Sequence, residues 1–454
     1  MDDLDTPLAL GRAGTIDRRE LLKRAAGLGI SVSAAGAVLS APHVAGPAAA
    51  ATSSDPVEIH YWTGWGGSEL KDLEKIIEEG FNKKQSAIHV KTTTIFGAYD
   101  KLLAAIASGN SPDVVSAVWD TQIIALGAQG AIQPLDRYLK TSAVHASDYF
   151  PAIWKTLVWS GHVWGLPATT NTSFVGYNVD MFKAAGIRRP PQTLRELEAA
   201  AQKLTKIDSS GNIQVLGYAP AGLLNWARIF GGNWLSADNT RITADNPKNI
   251  AAANWLKRYY AHYGVKRVDQ FQAGFGDYWS PANPFFAGKL AMQDYGEWIE
   301  EFRRKYNPDL HYGIMPYPYP PGGRKMWTTF GGSMFCIPKN SPHPDAAWKF
   351  IEWITSEPTE EAIARVFTNP PPRVKAARDP ALLHQLPILR FSLTLLHSPN
   401  AMGAVPIPVY QQLTSEIGMA EAAIIHGKVD ATAAMVAINK KLQPQLDKFN
   451  KRKM

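Results

Sequence analysis

The chain has 454 residues, 45% hydrophobic and 19% charged, with a net charge of +7 and a single cysteine. These figures describe an ordinary globular chain, exclude an intrachain disulfide and a cysteine-rich zinc site, and exceed what one core usually accommodates, so two lobes are expected. The basic excess does not indicate nucleic acid: the bases are dispersed, are not interleaved with aromatics on one face, and gather only at Lys448, Lys451, Arg452 and Lys453.

Residues 1–51 read as an export leader. Asp17-Arg18-Arg19-Glu20-Leu21-Leu22-Lys23 precedes an apolar, Ala/Gly-rich run from Ala25 to Leu39 and then the small-residue string Ala48 to Ala51. About fifteen apolar residues fall short of the roughly 20 that span a bilayer, so removal after export is expected in preference to a buried helix. The paired arginines resemble a twin-arginine signal, with Asp17 where Ser or Thr is usual and Leu21 where Phe is common. That resemblance implies transfer by the twin-arginine machinery in the folded state. No cysteine follows the apolar run, so the expected product is periplasmic or extracellular without a lipid anchor.

Val57 to Trp62 is the first strand, and Thr63 to Ser68 links it to a helix carrying Leu70, Leu73, Ile76, Ile77 and Phe81. Strand, tight loop and helix open an α/β unit, whose loop lies at the strand's carboxyl end, where open parallel sheets bind ligands. The glycines lack the Gly-x-Gly-x-x-Gly order of a dinucleotide site. Trp65 is either a stacking platform or a lid that packs the loop down. Ile88 to Thr94 repeats the pattern ahead of Tyr99, and Pro112 to Ala117 forms a third strand ending in Val118-Trp119-Asp120. Trp62, Tyr99, Trp119 and Asp120 thus occupy equivalent strand ends, the place for a binding site.

Gly161 to Pro167 leads into a polar run, Thr169 to Ser173, and then the β-prone Phe174 to Asn178. Here the chain is expected to leave one lobe and found the second, with the polar run at the mouth of the cleft. Thr193 reads as a helix N-cap with Glu196 completing a capping box, followed by Leu194, Leu197 and Leu204. The second lobe continues past Trp226 and Trp234, a helix near 249–263, and an aromatic loop with Tyr278 and Trp279. Phe286 to Met292 is expected to be a strand returning to lobe one, with Tyr295 and Trp298 on the turn that follows. Asp294 and Glu297 raise a glycosidase alternative, which requires the two carboxyls to flank one bond. His311 to Pro316 is another strand. Trp327 to Ser333 leads into Met334 to Pro338, a second crossing, and helices follow from Pro344, over Tyr410 to Ile425 and over Asp430 to Phe449. Cys336 reads as a small buried apolar residue, and no His-x-x-x-His pair occurs, so neither metal nor cofactor is expected.

From Val57 almost to the C-terminus the chain resembles extracellular solute-binding proteins of bacterial ABC importers, in the carbohydrate-binding group that includes maltose-binding and glycerol-phosphate-binding proteins. The resemblance is carried by Trp164-Gly165-Leu166-Pro167 with Tyr177-Asn178, Phe286 to Met292 with Gly296 and Trp298, and Gly331-Gly332 before Ile337-Pro338-Lys339. Ala346 to Ile351 and Pro372-Arg373 extend it. It implies an α/β fold of the type II periplasmic-binding-protein kind: two discontinuous lobes joined by crossover strands around a cleft, at 56–168 plus 288–332 and 169–287 plus 333–450. It implies a monomer that captures its ligand by hinge closure and delivers it to membrane permease subunits. Carried over residue by residue, the family's contacts fall on Tyr99, Asp120, Thr170, Asn171, Tyr295, Gly332 and Arg373. Sugar chemistry, with C–H faces that stack on indoles and hydroxyls that need polar partners, adds Trp62, Trp65, Trp119, Trp226, Trp279 and Trp298. A phosphorylated ligand of the glycerol-phosphate kind would call for more than one cation, and Arg373 alone can be placed. A secreted glycoside hydrolase and an adhesive protein without a soluble ligand are the rival classes.

Overall fold

The computed structural model describes residues 56–451 apart from 96–98, 277 and 279. The chain divides after Ser54, and the second unit, Asp55–Met454, carries the fold described below. The expected leader lies outside the described residues.

The first lobe grows from β1 (Val57–Thr63), β2 (Ile88–Thr94) and β3 (Val114–Trp119), which run parallel, with β1 in unbroken register from Val57 opposite Ile88 to Thr63 opposite Thr94. Alternation in the β-branched and aromatic β1 turns Ile59, Tyr61 and Thr63 inward, where the Tyr61 and Ser116 hydroxyls meet at 2.6 Å. The amphipathic helix Gly67–Gly80 buries Leu73 and Ile77 in the same core. Buried Asp113 ties strand edge to later chain, accepting the His60 amide at 2.9 Å, the Ser341 hydroxyl at 3.0 Å and the His343 amide at 2.9 Å.

A short hairpin of β4 (Val158–Trp159) and β5 (His162–Val163) precedes β6 (Leu166–Pro167). The polar run then forms β7 (Asn171–Thr172) and enters β8 (Phe174–Asn178), the middle strand of a second sheet. Thr193 caps the helix Leu194–Leu204 as expected, its hydroxyl accepting the Glu196 amide while the Glu196 carboxylate accepts the Thr193 amide. The hairpin of β9 (Lys206–Ile207) and β10 (Ile213–Val215) follows that helix. β11 (Met292–Tyr295) and β12 (Tyr312–Met315) flank β8 on either side, both antiparallel. β13 (Thr328–Gly331) pairs with β7 and with β15 (Ala401–Met402), whereas β14 (Ser333–Cys336) returns to the first sheet, whose order is β2-β1-β3-β14-β6.

Both crossings therefore lie side by side, at β6-β7-β8 and β13-β14. Gly332 sits where they touch: a Cβ there would come within 2.0 Å of the Thr169 carbonyl oxygen, so any larger residue would force the crossovers apart.

The expected boundaries are corrected in two places. Residues 285–288 form a turn, and β11 stays with lobe two because Phe285 and Phe286 pack around the Tyr295 ring, with centroids at 5.1 Å and 5.8 Å. The stretch 288–332, expected in lobe one, thus belongs largely to the second sheet and its core. Conversely, Phe335, Ile337, Phe350, Ile351 and Phe367 lie in one cluster with Ile59 and Tyr61, so the chain after β14 rebuilds lobe one. It rejoins lobe two further on, where Leu395, Tyr410, Leu413 and Ile417 enter that lobe's cluster. The helix Tyr410–Ile425 has the expected bounds.

Candidate functional site

Where β3 ends, the backbone turns directly into the helix Asp120–Ala128, leaving Trp119 44% exposed and Asp120 9% exposed at the sheet's carboxyl edge. An indole this exposed beside a nearly buried carboxylate is what a stacking ligand with hydroxyl groups would meet. Both residues line a cavity of about 170 Å³. Its other walls come from the crossover (Asn171, Gly331, Gly332), from β13 (Thr329, Phe330) and from lobe two (Leu224, Arg228, Tyr410). A larger groove of about 400 Å³, near Phe182, Lys183 and Arg188, draws on lobe two alone.

Electrostatics in the cavity centre on Asp120. Burial pushes its carboxyl up to about 7, against the opposing pull of the Ala404 amide that it accepts and the Arg228 guanidinium nearby. Gly331 allows this carboxylate to approach, since a Cβ there would lie 2.9 Å from its Oδ2. Arg228 is 3% exposed and donates to the Tyr410 hydroxyl at 2.6 Å and to the Gly403 carbonyl at 3.4 Å. One acceptor from lobe one thus faces one donor pair from lobe two across a small aromatic chamber. That arrangement suits neutral, polyhydroxylated guests, whose hydroxyls donate to the carboxylate and accept from the guanidinium.

Four of the residues expected from sequence meet in this cavity: Trp119, Asp120, Asn171 and Gly332. Trp62 and Tyr99 do not line it and are half-buried against a lobe-one cluster, the Lys101 ammonium lying 5.4 Å from the Trp62 ring centre. Thr170 is fully buried in the crossover, its hydroxyl without a hydrogen-bond partner. The remainder are placed elsewhere. Trp65 stacks on Phe367 at 4.2 Å and 15°, the lid alternative, so its ring face is already covered. Trp226 is 0% exposed and packs on Trp255 at 4.3 Å inside lobe two. Tyr295 is buried with its hydroxyl donating to Gln293 at 2.8 Å, and Trp298 donates to the Tyr278 hydroxyl at 3.0 Å. Arg373 is neutralised within lobe one by Asp148 at 2.9 Å, with Glu360 accepting its amide, so it is not a free cation for a ligand. Trp279 lies outside the described residues.

Arg228 and Tyr410 were missed by sequence reasoning. The available signal for Arg228 was a lone cation in the short, mostly apolar helix Leu223–Ile229, which must find a partner when buried. Nothing local singled out Tyr410, the first residue of its helix.

Asp294 and Glu297 do not flank an open space. Asp294 accepts the Tyr218 hydroxyl at 3.1 Å. Glu297 is fully buried against the crossover, its carboxylate accepting the Thr172 amide at 3.0 Å and the hydroxyls of Thr172 and Ser392. Among the described residues no group of three His, Cys, Asp or Glu side chains is placed to hold a metal ion.

Residues 66–361 match the family described as bacterial extracellular solute-binding protein. Among curated relatives, a maltooligosaccharide ABC transporter solute-binding lipoprotein of Streptococcus pneumoniae R6 is 26% identical over 322 residues, covering 66% of this chain and 71% of that one. The maltodextrin-binding protein MdxE of Bacillus subtilis is 24% identical over 326 residues, covering 68% and 72%. Among solved structures, CpMnBP1 with mannotriose bound superposes with a TM-score of 0.78 at 29% identity, covering 85% of this chain and 99% of that one. The sugar-binding protein MalE of Xanthomonas citri, at 22% identity and a TM-score of 0.70, shares the fold over 87% of this chain and 98% of its own. With two α/β lobes, paired crossovers and a cavity walled by both, and with the family match spanning most of that architecture, this chain belongs to the bacterial extracellular solute-binding proteins.

Proposed function

We propose that this chain is the extracytoplasmic substrate-binding component of an ABC importer, holding a short oligosaccharide between its lobes and releasing it unaltered to membrane permease subunits. One observation carries the reading: the half-exposed indole of Trp119 lies beside Asp120, Arg228 and Tyr410 in a chamber walled by both lobes and the crossover. The indole offers a sugar its apolar face, the carboxylate and guanidinium grade its hydroxyls, and Asn171 adds an amide from the hinge. Closing the lobes around such a guest would exclude water from these contacts. Micromolar capture requires about 8 kcal/mol, within reach of one or two stacked rings and a few charge-assisted hydrogen bonds. Relatives described as binding maltooligosaccharide and maltodextrin support the ligand class, as does the mannotriose held by the structure at 29% identity.

The glycosidase alternative required Asp294 and Glu297 to flank one bond, and both are engaged in internal hydrogen bonds, which favours the binding reading. A phosphorylated ligand is disfavoured because Asp120 shares the cavity with Arg228. We further assign the leader at 1–51 to the twin-arginine route and the mature protein to a monomer outside the cytoplasmic membrane. Unlike the relative named a lipoprotein, this chain has its single cysteine at the buried position 336, so the reading includes no lipid anchor. The test is titration calorimetry and thermal shift with manno- and maltooligosaccharides, followed by chromatography of the recovered sugar. Saturable binding with intact sugar is expected; cleavage products, or no shift with any member of a broad sugar panel, would refute the reading.

A further inference from the structure

Glu297 was singled out by sequence as half of a hydrolase pair, yet its surroundings give it different work. The side chain is 0% exposed, and all its partners are neutral donors. Its two carboxylate oxygens share the Thr172 amide, at 3.0 Å and 3.2 Å, and it also accepts the hydroxyls of Thr172 and Ser392. Thr172 belongs to β7, a strand of only two residues whose other member is Asn171. Asn171 lines the cavity and sits opposite Gly331, while Thr172 sits opposite Phe330, which lines it too. So short a ladder has little cohesion of its own, and the Thr172 amide is held by the carboxylate. A buried carboxylate is a costly way to hold a strand unless its several strong acceptor sites are needed at one point.

We propose that Glu297 is a positioning residue for ligand capture: by gripping the backbone and side chain of Thr172, and through Ser392 the helix Ile388–Leu396, it sets where Asn171 stands in the cavity wall. This inference rests on the sugar-binding reading for its ligand arm only. It does not put Glu297 in contact with the guest.

The test compares wild type, Glu297→Gln, Ser392→Ala, Asn171→Ala and the Glu297→Gln/Asn171→Ala double variant by calorimetry with mannotriose and maltotriose. Amide hydrogen exchange over residues 168–174 is measured on the ligand-free proteins. Hydrogen bonds to a charged group being the stronger kind, Glu297→Gln should weaken binding roughly tenfold and speed exchange of the Thr172 amide by a similar factor. Ser392→Ala, which keeps the carboxylate, should weaken binding about threefold and serves if Glu297→Gln does not fold. If Glu297 acts through Asn171, the double variant should bind no more weakly than Asn171→Ala, whatever the melting temperatures do. Multiplying losses, or sugar affinity and Thr172 exchange both equal to wild type, would overturn the proposal. Failure of wild type to bind any sugar would sink the ligand reading instead, and unchanged exchange would then refute the grip on Thr172 by itself.

Discussion

Replacing Trp119 by alanine separates recognition from folding more cleanly than any other change in the cavity. With about 250 Å² taken for a whole tryptophan, 44% exposure leaves about 110 Å² for a ligand to cover. Coverage of half that area at about 25 cal/mol per Å² is worth roughly 1.4 kcal/mol, and ring stacking adds about 0.5–1.5 kcal/mol. The expected loss is about 2 kcal/mol, roughly thirtyfold in Kd. The remaining area, roughly 140 Å², is covered in the folded protein, so some loss of melting temperature without ligand is expected, smaller than for a wholly enclosed ring such as Trp226. Calorimetry with the tightest-binding oligosaccharide, paired with a melting curve, reads both quantities. Affinity within twofold of wild type would remove Trp119 from the site, and a large drop in melting temperature would make it a core residue after all.

Three further outcomes are expected. Asp120→Asn should flatten the pH dependence of stability: the unfolded carboxyl titrates near 4 and the folded one near 7, so the folded state binds more protons in between. Wild type should therefore lose stability from pH 4 to pH 7 relative to the variant, and parallel melting curves for the two across that range would contradict the burial argument. Trp226→Ala should cost about 3–5 kcal/mol in denaturant unfolding, because the ring is wholly enclosed by lobe two. A stable variant that had lost only its sugar affinity would return Trp226 to the binding site. Exchanging Arg18 and Arg19 for lysines should hold the precursor inside the cell, measured by fractionation, and undiminished export would favour another route for the leader.

The amount that could be read directly from sequence varied with how local the determining interactions are. The capping box at Thr193 and the helix over Tyr410–Ile425 were legible because each depends on neighbours within one or two turns. The strand-end position of Trp119 and Asp120 followed from the strand-helix rhythm of a parallel sheet, whereas the crossover at Asn171 rested on a polar run between two β-prone segments and on the family resemblance. Of the strand expected over Phe286 to Met292 only Met292 enters one, because the rings of Phe285 and Phe286 turn into an aromatic cluster completed by Tyr295. Arg373 looked like a lone cation only because Asp148 and Glu360, which engage it, lie on other segments.

Length called for more than one lobe, and period and turn chemistry, which act over a few residues at a time, marked out the α/β units; the crossover strands were implied by the family resemblance, and their lying side by side is a fact of the tertiary structure. None of these signals could tell one tryptophan from another. Trp119, Trp65 and Trp226 are chemically identical, yet one faces the cavity, one lies flat on Phe367 and one is sealed in a core. Only the tertiary structure decided which, because a side chain's exposure is set by whatever distant segments pack over it; by the same packing Arg228 and Tyr410 come to stand opposite Asp120.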